Sequence, residues 1–512
     1  MNYESVIGLE VHAELSTDTK IYCSCENKFG LDVNTSVCPI CMGMPGTLPK
    51  LNKKVVEYAI KAGLALHCDI THYSKQDRKN YFYPDLPKAY QISQFDLPLC
   101  TNGYVEINVD GEKKKIGITR IHIEEDAGKL IHSIMGEGSM VDFNRCGVPL
   151  IEIVSEPDLR SAKEAKIYLE TLKNILQYIG VSDCKMEEGS LRCDINVSIR
   201  PEGQKEFGTR TEMKNVSTFS GGERAIEYEI ARQISVIENG GTIDQETRRW
   251  DDAKGENTLL RSKEEAHDYR YFPEPDLMPI VVEDGQIEAI RKDLPELPNV
   301  KVERYINEYK LSEKDASIII ENKYMSFYFD DCIKLGGEPK TVANWLLGDV
   351  SRFLKDKETD FENIPFAPEK LIELISLTSN GTISNSAAKK VLFEMFTSND
   401  SPKQLVEKLG LAQISDESAL YDLVKSVLDA NPQSIADYKA GRDRALGFLM
   451  GQAMKLSKGK ANPPVINKIL KEMLDKAENI NKKLKMCRNN EQNTSFCSSY
   501  TKNNGNKFVF GI

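Results

Sequence analysis

The sequence predicts an α+β fold in which a mainly antiparallel sheet precedes a series of helices. Apolar and polar residues alternate in several stretches before residue 290, as they do along half-buried strands. Asp110-Gly111 separates two of these stretches, 105–109 and 115–123, and has the residues of a type I′ hairpin turn. After the Pro-rich segments 272–276 and 294–298, the apolar spacing becomes helical.

Three of the predicted strands carry polar side chains on a single face. Any one of them could be the solvated face of an ordinary antiparallel sheet. Together they favour a shared cavity for metal and phosphate, because carboxylates hold cations and Lys or Arg contacts phosphate oxygens. These strands are Ile7–Leu15 with Glu10, His12 and Glu14, Met186–Arg200 with Arg192, Asp194, Asn196, Ser198 and Arg200, and Thr209–Lys214 with Arg210, Glu212 and Lys214.

Two helices are predicted among the strands. The first begins at Ser161, which forms a capping box with Glu164, and ends at Gly180. The second spans Glu223–Glu238. The later helical stretches are Pro368–Leu377, Ala387–Phe396, Pro402–Leu409, Glu417–Leu428, Arg442–Leu456 and Pro464–Ala477.

These changes of pattern predict the domain organisation. Residues 1–292 form the sheet domain, 293–408 a helical domain and 409–478 a helical tail domain. Residues 479–512 are an atypical extension, and its Asn-rich part shows no helical period, which predicts disorder. A chain of 512 residues agrees with about three domains.

Charge is distributed unevenly along the chain. The net charge of −11 argues against a protein that coats nucleic acid with its whole surface. From Lys439 to Met486, however, there are twelve Lys and Arg but four Asp and Glu. Charge alone leaves two interpretations open, a solvated helix face and a surface that binds a nucleic-acid backbone.

The sequence contains no signal for a membrane or for secretion. No stretch approaches the roughly 18 apolar residues of a membrane span. The N-terminus leads directly into a predicted strand rather than into a basic and apolar leader. We therefore expect a cytoplasmic protein whose twelve cysteines are thiols.

Four of the cysteines form two close pairs. Cys23 and Cys25 are separated from Cys38 and Cys41 by twelve residues, which suits a tetrahedral zinc site although the first pair is CxC. With sulfur at all four positions, the zinc would stabilise the loop 23–41 and would have no position left for catalysis. Buried thiols and a redox pair are the alternatives.

The strand that starts at Arg120 ends in three acids. Alternation places His122 and Glu124 on one face and Glu125 on the other, so only one glutamate reaches a given cavity unless the strand bulges. A solvated acidic turn is the alternative. The carboxylates available for Mg²⁺ are Glu10, Glu124 or Glu125, Glu152 and Asp194.

One segment interleaves cations with aromatic residues. Residues 77–85 read DRKNYFYPD, and YQISQ follows at 90–94. Such a loop could stack a nucleobase while Lys79 contacts phosphate, or it could be a rigid structural loop. A Walker-type phosphate loop is absent from the sequence, so an ATP site would be of another build.

Several long strings of the sequence are specific enough to identify a family. The most specific is VDFNRCGVPLIE at 141–152. The other strings are Ile7–His12, Asp77–Pro84, Tyr90–Gln94, Met186–Asp194 and Asp268–Asp276. Together they resemble the GatB family, the B subunit of the bacterial Asp/Glu-tRNA amidotransferase, and the resemblance extends over roughly residues 2–478.

The resemblance implies a fold, a reaction and partners. It implies a cradle-like kinase domain distantly similar to glutamine synthetase, a helical domain and a tail that contacts tRNA. The family uses ATP to phosphorylate the side-chain carboxylate of Glu-tRNA(Gln) or Asp-tRNA(Asn). Ammonia that an amidase A subunit releases from glutamine then displaces the phosphate, in a complex that also contains a small C subunit.

The residues that match this family receive roles as expectations. Glu10, His12 and Glu212 are assigned to catalysis, with Glu212 orienting substrate. Lys79, Arg210 and Lys214 are assigned to phosphate. The residues assigned to magnesium or its shell are Glu10, His12, one of Glu124 and Glu125, Glu152 and Asp194. The competing hypothesis is a zinc-containing tRNA-binding scaffold without chemistry of its own.

Overall fold

A computed structural model describes residues 2–132, 138–262, 268–413, 417–442, 444–457 and 460–475. The chain forms two compact units, Met1–Arg304 and Tyr305–Ile512. The predicted extension 479–512 lies outside the described residues. The predicted domain boundaries after residues 292, 408 and 478 stay predictions.

The first unit contains the strands and the first helices. The strands are β1 (Tyr3–Glu14), β2 (Asp69–Ile70), β3 (Tyr73–Ser74), β4 (Asp77–Asn80), β5 (Tyr90–Ser93), β6 (Cys100–Val109), β7 (Glu112–Glu125), β8 (Lys129–His132), β9 (Ser139–Asp142), β10 (Pro149–Ser155), β11 (Leu191–Pro201), β12 (Thr211–Lys214), β13 (Glu246–Asp251), β14 (Glu256–Ser262), β15 (Phe272–Pro273) and β16 (Ile280–Val281). The helices are α1 (Lys53–Ala65), α2 (Ala162–Tyr178), α3 (Phe219–Glu238), α4 (Asp284–Lys292) and α5 (Pro298–Asn307), and α5 contains the boundary between the units.

Nine strands form one sheet in the order β14-β13-β12-β11-β1-β10-β7-β6-β2. Its neighbouring strands are antiparallel except for β12 and β13, which are parallel. The prediction of an α+β fold with a mainly antiparallel sheet is therefore confirmed. The predicted likeness to glutamine synthetase stays a prediction.

Alternation along the strands separates an apolar face of this sheet from a polar one. On β1, Leu9, Val11 and Ala13 are at most 1% exposed. The helices α1, α2 and α3 contact the sheet and share one hydrophobic core with these residues. Each such fully buried Leu or Val side chain stabilises the fold by about 2 kcal/mol. The opposite face of β1 is left for polar side chains.

The predicted local signals are largely present. Asp110 and Gly111 have φ angles of 54° and 89°, as a type I′ turn between β6 and β7 requires. Ser161 Oγ accepts a 3.1 Å bond from the Glu164 amide, which begins α2 at the predicted residue. The carboxylate of Glu164 accepts from the amide of Arg160 instead of Ser161, so the predicted capping box is only half formed.

A three-stranded sheet, in the order β15-β4-β5, packs beside β7. Gln91 Nε2 donates to the Glu125 carbonyl at 2.8 Å, and the Ile123 amide donates to Gln94 Oε1 at 2.9 Å. Arg78 holds β15 through two bonds of 2.6 and 2.8 Å to the buried carboxylate of Glu274. These contacts fix the small sheet next to the polar face of the large one.

The second unit is helical. Its helices are α6 (Glu313–Glu321), α7 (Lys323–Lys334), α8 (Pro339–Trp345), α9 (Ser351–Asp356), α10 (Pro368–Ser379), α11 (Asn385–Met395), α12 (Pro402–Lys408), α13 (Glu417–Ala430), α14 (Pro432–Lys439), α15 (Arg444–Leu456) and α16 (463–475). A π-helical turn, Leu346–Val350, joins α8 to α9. The six helices predicted after residue 367 are present, and buried residues between Leu420 and Leu474 form a hydrophobic cluster. Among the helices that the structure describes, none combines the length and apolar character that a membrane span requires.

Candidate functional site

The polar face of the nine-stranded sheet forms the floor of a cavity of about 1310 Å³. The small sheet and the segment that leads into β15 supply a wall. The lining residues that bear on function are Glu10, His12, Lys79, Tyr81, Phe95, Arg120, His122, Glu124, Asp126, Glu152, Arg192, Asp194, Asn196, Arg210, Glu212, Lys214, Arg261, Tyr269 and Tyr271. Carboxylates, imidazoles, cations and aromatic rings therefore share one space.

Strand order explains why residues distant in sequence meet here. Residues that lie directly opposite one another on neighbouring strands project to the same side of a sheet. One rung of the sheet aligns His122, Glu152, His12 and Arg192 on β7, β10, β1 and β11. The next rung aligns Arg120, Val154, Glu10 and Asp194. A third aligns Gly8, Asn196, Glu212, Thr247 and Arg261.

Two imidazoles and two carboxylates lie close together at the first rung and at Glu124, two residues after His122 on β7. His12 Nε2 lies 3.5 Å from Glu124 Oε1 and 3.3 Å from Glu152 Oε2. His122 Nε2 lies 3.6 Å from Glu124 Oε2 and 3.4 Å from Glu152 Oε2. One ligand atom from each of His12, Glu124 and Glu152 lies within 4.8 Å of the others. The composition and spacing of this cluster suit a divalent cation.

The charges in the cluster shift its titrations. Burial lowers the pKa of His122, but Glu152 and Glu124 outweigh burial and raise that pKa to about 9. Burial also opposes the shift at His12, whose pKa is raised by its bond to Glu152 and by the charge of Glu124. For Glu152, burial is outweighed by the two imidazoles, which hold its pKa well below the usual range. Protons and a divalent cation would therefore compete for this cluster.

A second acidic group lies one rung away. Lys214 Nζ pairs with Asp194 and lies 3.1 Å from Glu212 Oε1. Asn196 Nδ2 donates a 3.1 Å bond to Glu10 Oε1. Burial raises the pKa of Glu10, and the neighbouring carboxylates raise it further. Positive charge beside Glu10 would favour its ionised form.

Lys79 faces these acids from the small sheet. Its Nζ lies 4.9 Å from the centre of the Tyr269 ring and 5.8 Å from that of Tyr81. Burial lowers the pKa of Lys79, but Glu124 and other nearby acidic groups outweigh burial and raise it. Lys79 is therefore a cation inside the cavity, and the exposed Arg210 lines the same space.

Two arginines hold the turn that follows β7 at the edge of the cavity. Arg192 donates two hydrogen bonds to the carboxylate of Asp126, of 3.2 Å from Nη1 and 2.7 Å from Nη2. Arg145 donates to the carbonyls of Ala127 at 3.0 Å and Gly128 at 2.8 Å. The VDFNRCG string thus contributes a residue that holds the turn after the predicted acidic run.

Of Glu124 and Glu125, one of which the sequence assigned to magnesium or its shell, Glu125 is not a lining residue of the cavity. Glu125 Oε1 accepts a 2.9 Å bond from the Ile92 amide, and its carboxylate pairs with Lys88. The register of β7 with β10 runs without a shift through Glu124 and Glu125, so the two side chains take opposite faces. Of these two glutamates, Glu124 is the one in the cavity.

The other carboxylate, imidazole and cation assignments all fall on residues that line the cavity, and their individual roles stay predictions. Several lining residues received no role in the sequence analysis. Alternation placed His122 on the face of Glu124, but no role was assigned to it. Arg261 could not be found, because the parallel pairing of β12 with β13 has no local signal. The residues without a role include Phe95, Arg120, His122, Asp126, Arg261, Tyr269 and Tyr271.

The four paired cysteines form a separate cluster. Their Sγ atoms all lie within 4.8 Å of one another. Four sulfurs around a tetrahedral zinc are about 3.8 Å apart, because each Zn–S bond is about 2.3 Å long. The donor set and its spacing therefore fit such an ion, and the members are Cys23, Cys25, Cys38 and Cys41.

A buried lysine adds positive charge beside this cluster. Lys20 is 0% exposed, donates a 2.7 Å bond to the Ser36 carbonyl and lies 3.9 Å from Cys41 Sγ. A hydrogen bond from Cys23, helped by Lys20, lowers the pKa of Cys41 to about 5 although burial opposes it. Burial raises the pKa of Cys25 to about 11. One thiolate is therefore already favoured, and thiolates are the form that binds metal.

The fold and the cavity define a class of protein, an α+β protein whose sheet floor carries a cluster of imidazole and carboxylate groups, suited to a divalent cation, beside Lys and Arg. Phosphoryl transfer needs this combination, because it depends on positioning and charge neutralisation. The chain matches the family model described as the GatB/GatE catalytic domain over residues 5–288 and the one described as the GatB domain over residues 327–474. It belongs to the GatB/GatE family.

Curated relatives match nearly the whole chain. A protein of Caldicellulosiruptor bescii is 61% identical over 479 residues, and one of Thermoanaerobacter pseudethanolicus is 60% identical over 476 residues. Both are named as the B subunit of an aspartyl/glutamyl-tRNA(Asn/Gln) amidotransferase. A B subunit of the same name from Clostridium acetobutylicum is 55% identical over 477 residues. Each match covers 93% of this chain and 100% of the relative.

Proposed function

We propose that this chain is the activating subunit of a tRNA-dependent amidotransferase. ATP transfers its terminal phosphoryl group to the side-chain carboxylate of Glu-tRNA(Gln) or Asp-tRNA(Asn), which forms an acyl phosphate and ADP. Ammonia from glutamine then forms the C–N bond and phosphate leaves, giving Gln-tRNA(Gln) or Asn-tRNA(Asn). The observation that supports this most directly is the cavity, in which a cluster of residues suited to a divalent metal ion lies beside Lys and Arg side chains.

The acidic floor accounts for the charge neutralisation that this reaction needs. His12, Glu124 and Glu152 would hold Mg²⁺, with Glu10 and Asp194 in its surroundings. Magnesium would neutralise phosphate oxygens during transfer. Hard cations prefer carboxylate oxygens, which Glu124 and Glu152 supply, whereas His12 supplies an imidazole nitrogen.

The cations of the cavity would bind the phosphates. Three of the cations that line this space are those assigned to phosphate. Lys79 lies on the small sheet, Arg210 directly before β12 and Lys214 on β12. Lys214 is already held by Asp194 and Glu212, so Glu212 would position that lysine as well as the substrate. Fixed donors of this kind stabilise developing charge without reorganising.

The cysteine cluster would hold a structural zinc ion. Four sulfur ligands leave no open coordination position, so the ion would stabilise the loop between Cys23 and Cys41 rather than take part in catalysis. The adjacent Lys20 would offset part of the negative charge of the four thiolates.

The chain would work with an amidase A subunit, a small C subunit and misacylated tRNA. The names of the relatives designate one lettered subunit of an amidotransferase, which supports a complex of several chains. The basic residues between Lys439 and Met486 suit a tRNA backbone. We place the reaction in the cytoplasm, where aminoacyl-tRNA is used.

The decisive experiment is amidation by the purified three-subunit complex. Gln-tRNA(Gln) and Asn-tRNA(Asn) should form from the misacylated tRNAs only when ATP and glutamine are both present. The same assay should show ATP hydrolysis that depends on misacylated tRNA. A non-catalytic scaffold predicts no such ATP use, so ATP-independent amidation would contradict the proposal and support the scaffold.

A further inference from the structure

Four aromatic rings line one side of the cavity, opposite its acidic floor. The rings of Phe95 and Tyr271 are stacked, with centroids 4.3 Å apart and planes inclined by 8°. Tyr269 meets Tyr271 and Tyr81 edge to face, with centroids 6.0 Å apart in each case. All four rings line the cavity. Phe95 is nonetheless 59% exposed, which is unusual for a ring in a rigid stack.

The backbone holds this aromatic wall in place. The amide of Phe95 donates a 3.0 Å bond to Asp77 Oδ2, and Asp77 is 1% exposed. The amide of Asn80 donates a 2.9 Å bond to the carbonyl of Tyr269. The Arg78–Glu274 pair fixes the strand that follows Tyr271. The exposed ring of Phe95 is thus presented by anchored backbone on both sides of the stack.

We infer that the Phe95–Tyr271 stack is the platform on which a substrate nucleobase binds, with Phe95 as its contact ring. This rests on the proposed function and names the residue that recognises the base. Stacking on an exposed ring of an aromatic pair buries a flat heterocycle without requiring hydrogen bonds to its edge.

The groups near the stack support this inference. Lys79 Nζ lies 4.9 Å from the Tyr269 ring and also experiences the charges of Glu124 and Glu152. Lys79 is therefore close to both the aromatic wall and the carboxylate cluster. A nucleotide bound to a divalent cation likewise needs an apolar surface for its base, a cation for its phosphates and ligands for its metal ion in one site.

Two purines could occupy the platform under the proposed function. One is the adenine of ATP, and the other is the terminal adenine of the tRNA that carries the amino acid. Their chemistry at Phe95 is the same, so binding experiments with each ligand alone are needed to distinguish them.

The test uses the full chain and equilibrium binding. Mg·ATP affinity is measured by calorimetry, and affinity for tRNA(Gln) by filter binding, with and without the terminal adenosine. Phe95→Ala should weaken binding of one of these ligands about tenfold, the usual effect of removing a stacking ring. Phe95→Trp should restore it, and its indole fluorescence should be quenched by the same ligand.

Phe207 provides the matched control, because it is 60% exposed and is not among the residues that line the cavity. Phe207→Ala should leave both affinities unchanged, and Phe207→Trp should show no quenching. Loss of Mg·ATP binding in Phe95→Ala would identify the nucleotide as the ligand, whereas loss confined to tRNA with its terminal adenosine would identify the tRNA end. Unchanged affinity for both ligands would overturn the inference. A wild-type chain that binds neither ligand would overturn the proposed function as well.

Discussion

Asp194 joins the two charged groups of the cavity floor. It pairs with Lys214 and lies directly opposite Glu10 on the neighbouring strand. Loss of its charge would leave the lysine paired with Glu212 alone and would leave the second acidic group with one carboxylate fewer. Both effects act on the groups that would neutralise phosphate.

We predict that Asp194→Asn lowers ATP-dependent amidation about 100-fold, the usual effect of removing one preorganised charged group. The melting temperature should stay close to that of the wild type, since the side chain is only partly buried. Glu4→Gln is the control, because Glu4 lies on the same strand as Glu10 but pairs with Arg160 and Arg200 and is not a lining residue of the cavity. Wild-type rates in Asp194→Asn would remove this residue from the mechanism.

Glu14 connects the cavity floor to pH. Burial raises its pKa from the ordinary 4.5 to about 8, with Asp126 adding to the shift and Arg192 opposing it. Between these two values the folded protein retains a proton that the unfolded chain has released. Stability therefore falls as the pH rises from about 4.5 to about 8.

Glu14→Gln should remove this dependence, because glutamine resembles the neutral carboxyl group. Relative to the wild type, the variant should gain about 2 kcal/mol in the free energy of unfolding between about pH 5 and about pH 8.5, which is half of the full linkage value of about 4 kcal/mol because solvent screens a partly buried carboxyl group. Urea titrations in the presence of a chelator measure this difference. Glu4→Gln is the control, because a bond from Arg200 lowers the pKa of Glu4 below the ordinary 4.5, so its difference from the wild type should stay constant between about pH 5 and about pH 8.5. A gain for Glu14→Gln that does not change with pH would contradict this account.

At the scale of elements, alternation along single strands was enough to predict which side chains share a face. It placed Glu10 with His12 and Asp194 with Asn196, and the structure confirms both faces. Alternation could not predict strand order. β1 lies between β10 and β11, so the rung that unites His12 with Glu152 depends on pairing between segments far apart in the chain.

Contacts between loops could not be predicted from the sequence either. The Phe95 ring follows β5 and meets Tyr271 from a segment far along the chain, and no local periodicity reports such a contact. The cysteine cluster was predictable, because metal ligands can be identified in a sequence by their residue type and short spacing.

The cysteine cluster leads to a prediction about its loop. Replacing Cys38 and Cys41 by serine should reduce bound zinc from about one ion per chain to none, because two of four ligands are lost. Elemental analysis measures the zinc, and limited proteolysis should show faster cleavage between residues 23 and 41. Cys184→Ala is the control, since Cys184 is a buried thiol outside the cluster, and it should retain the metal. Unchanged zinc in the double variant would exclude this site.

At the scale of the whole molecule, the cavity and the basic residues belong to different units. The cavity lies within Met1–Arg304, and the basic surplus begins at Lys439. Buried residues between Leu420 and Leu474 form a hydrophobic cluster within the second unit, and the tail domain 409–478 stays a prediction. Substrate activation and tRNA affinity should therefore be separable by truncation.

A chain that ends after residue 408 should retain Mg·ATP affinity and lose tRNA affinity by about tenfold or more, with a weaker dependence on salt. A chain that ends after residue 486 should match the full chain in both, because we assign no function to residues 487–512. Binding of each ligand at two salt concentrations measures these effects. Loss of amidation in the complex with the longer truncated chain would show that the extension has a role.

The position of β1 has a consequence for the dynamics of the site. β10 and β11 pair with β1 on its two sides at Glu10 and His12, so hydrogen bonds flank the strand that carries both residues. Amide protons in such a strand exchange with solvent only when the whole unit opens. The cavity floor therefore keeps its geometry for as long as the first unit is folded. Substitutions that weaken the core elsewhere will change the fraction of molecules that are active and leave the chemistry of each folded molecule intact.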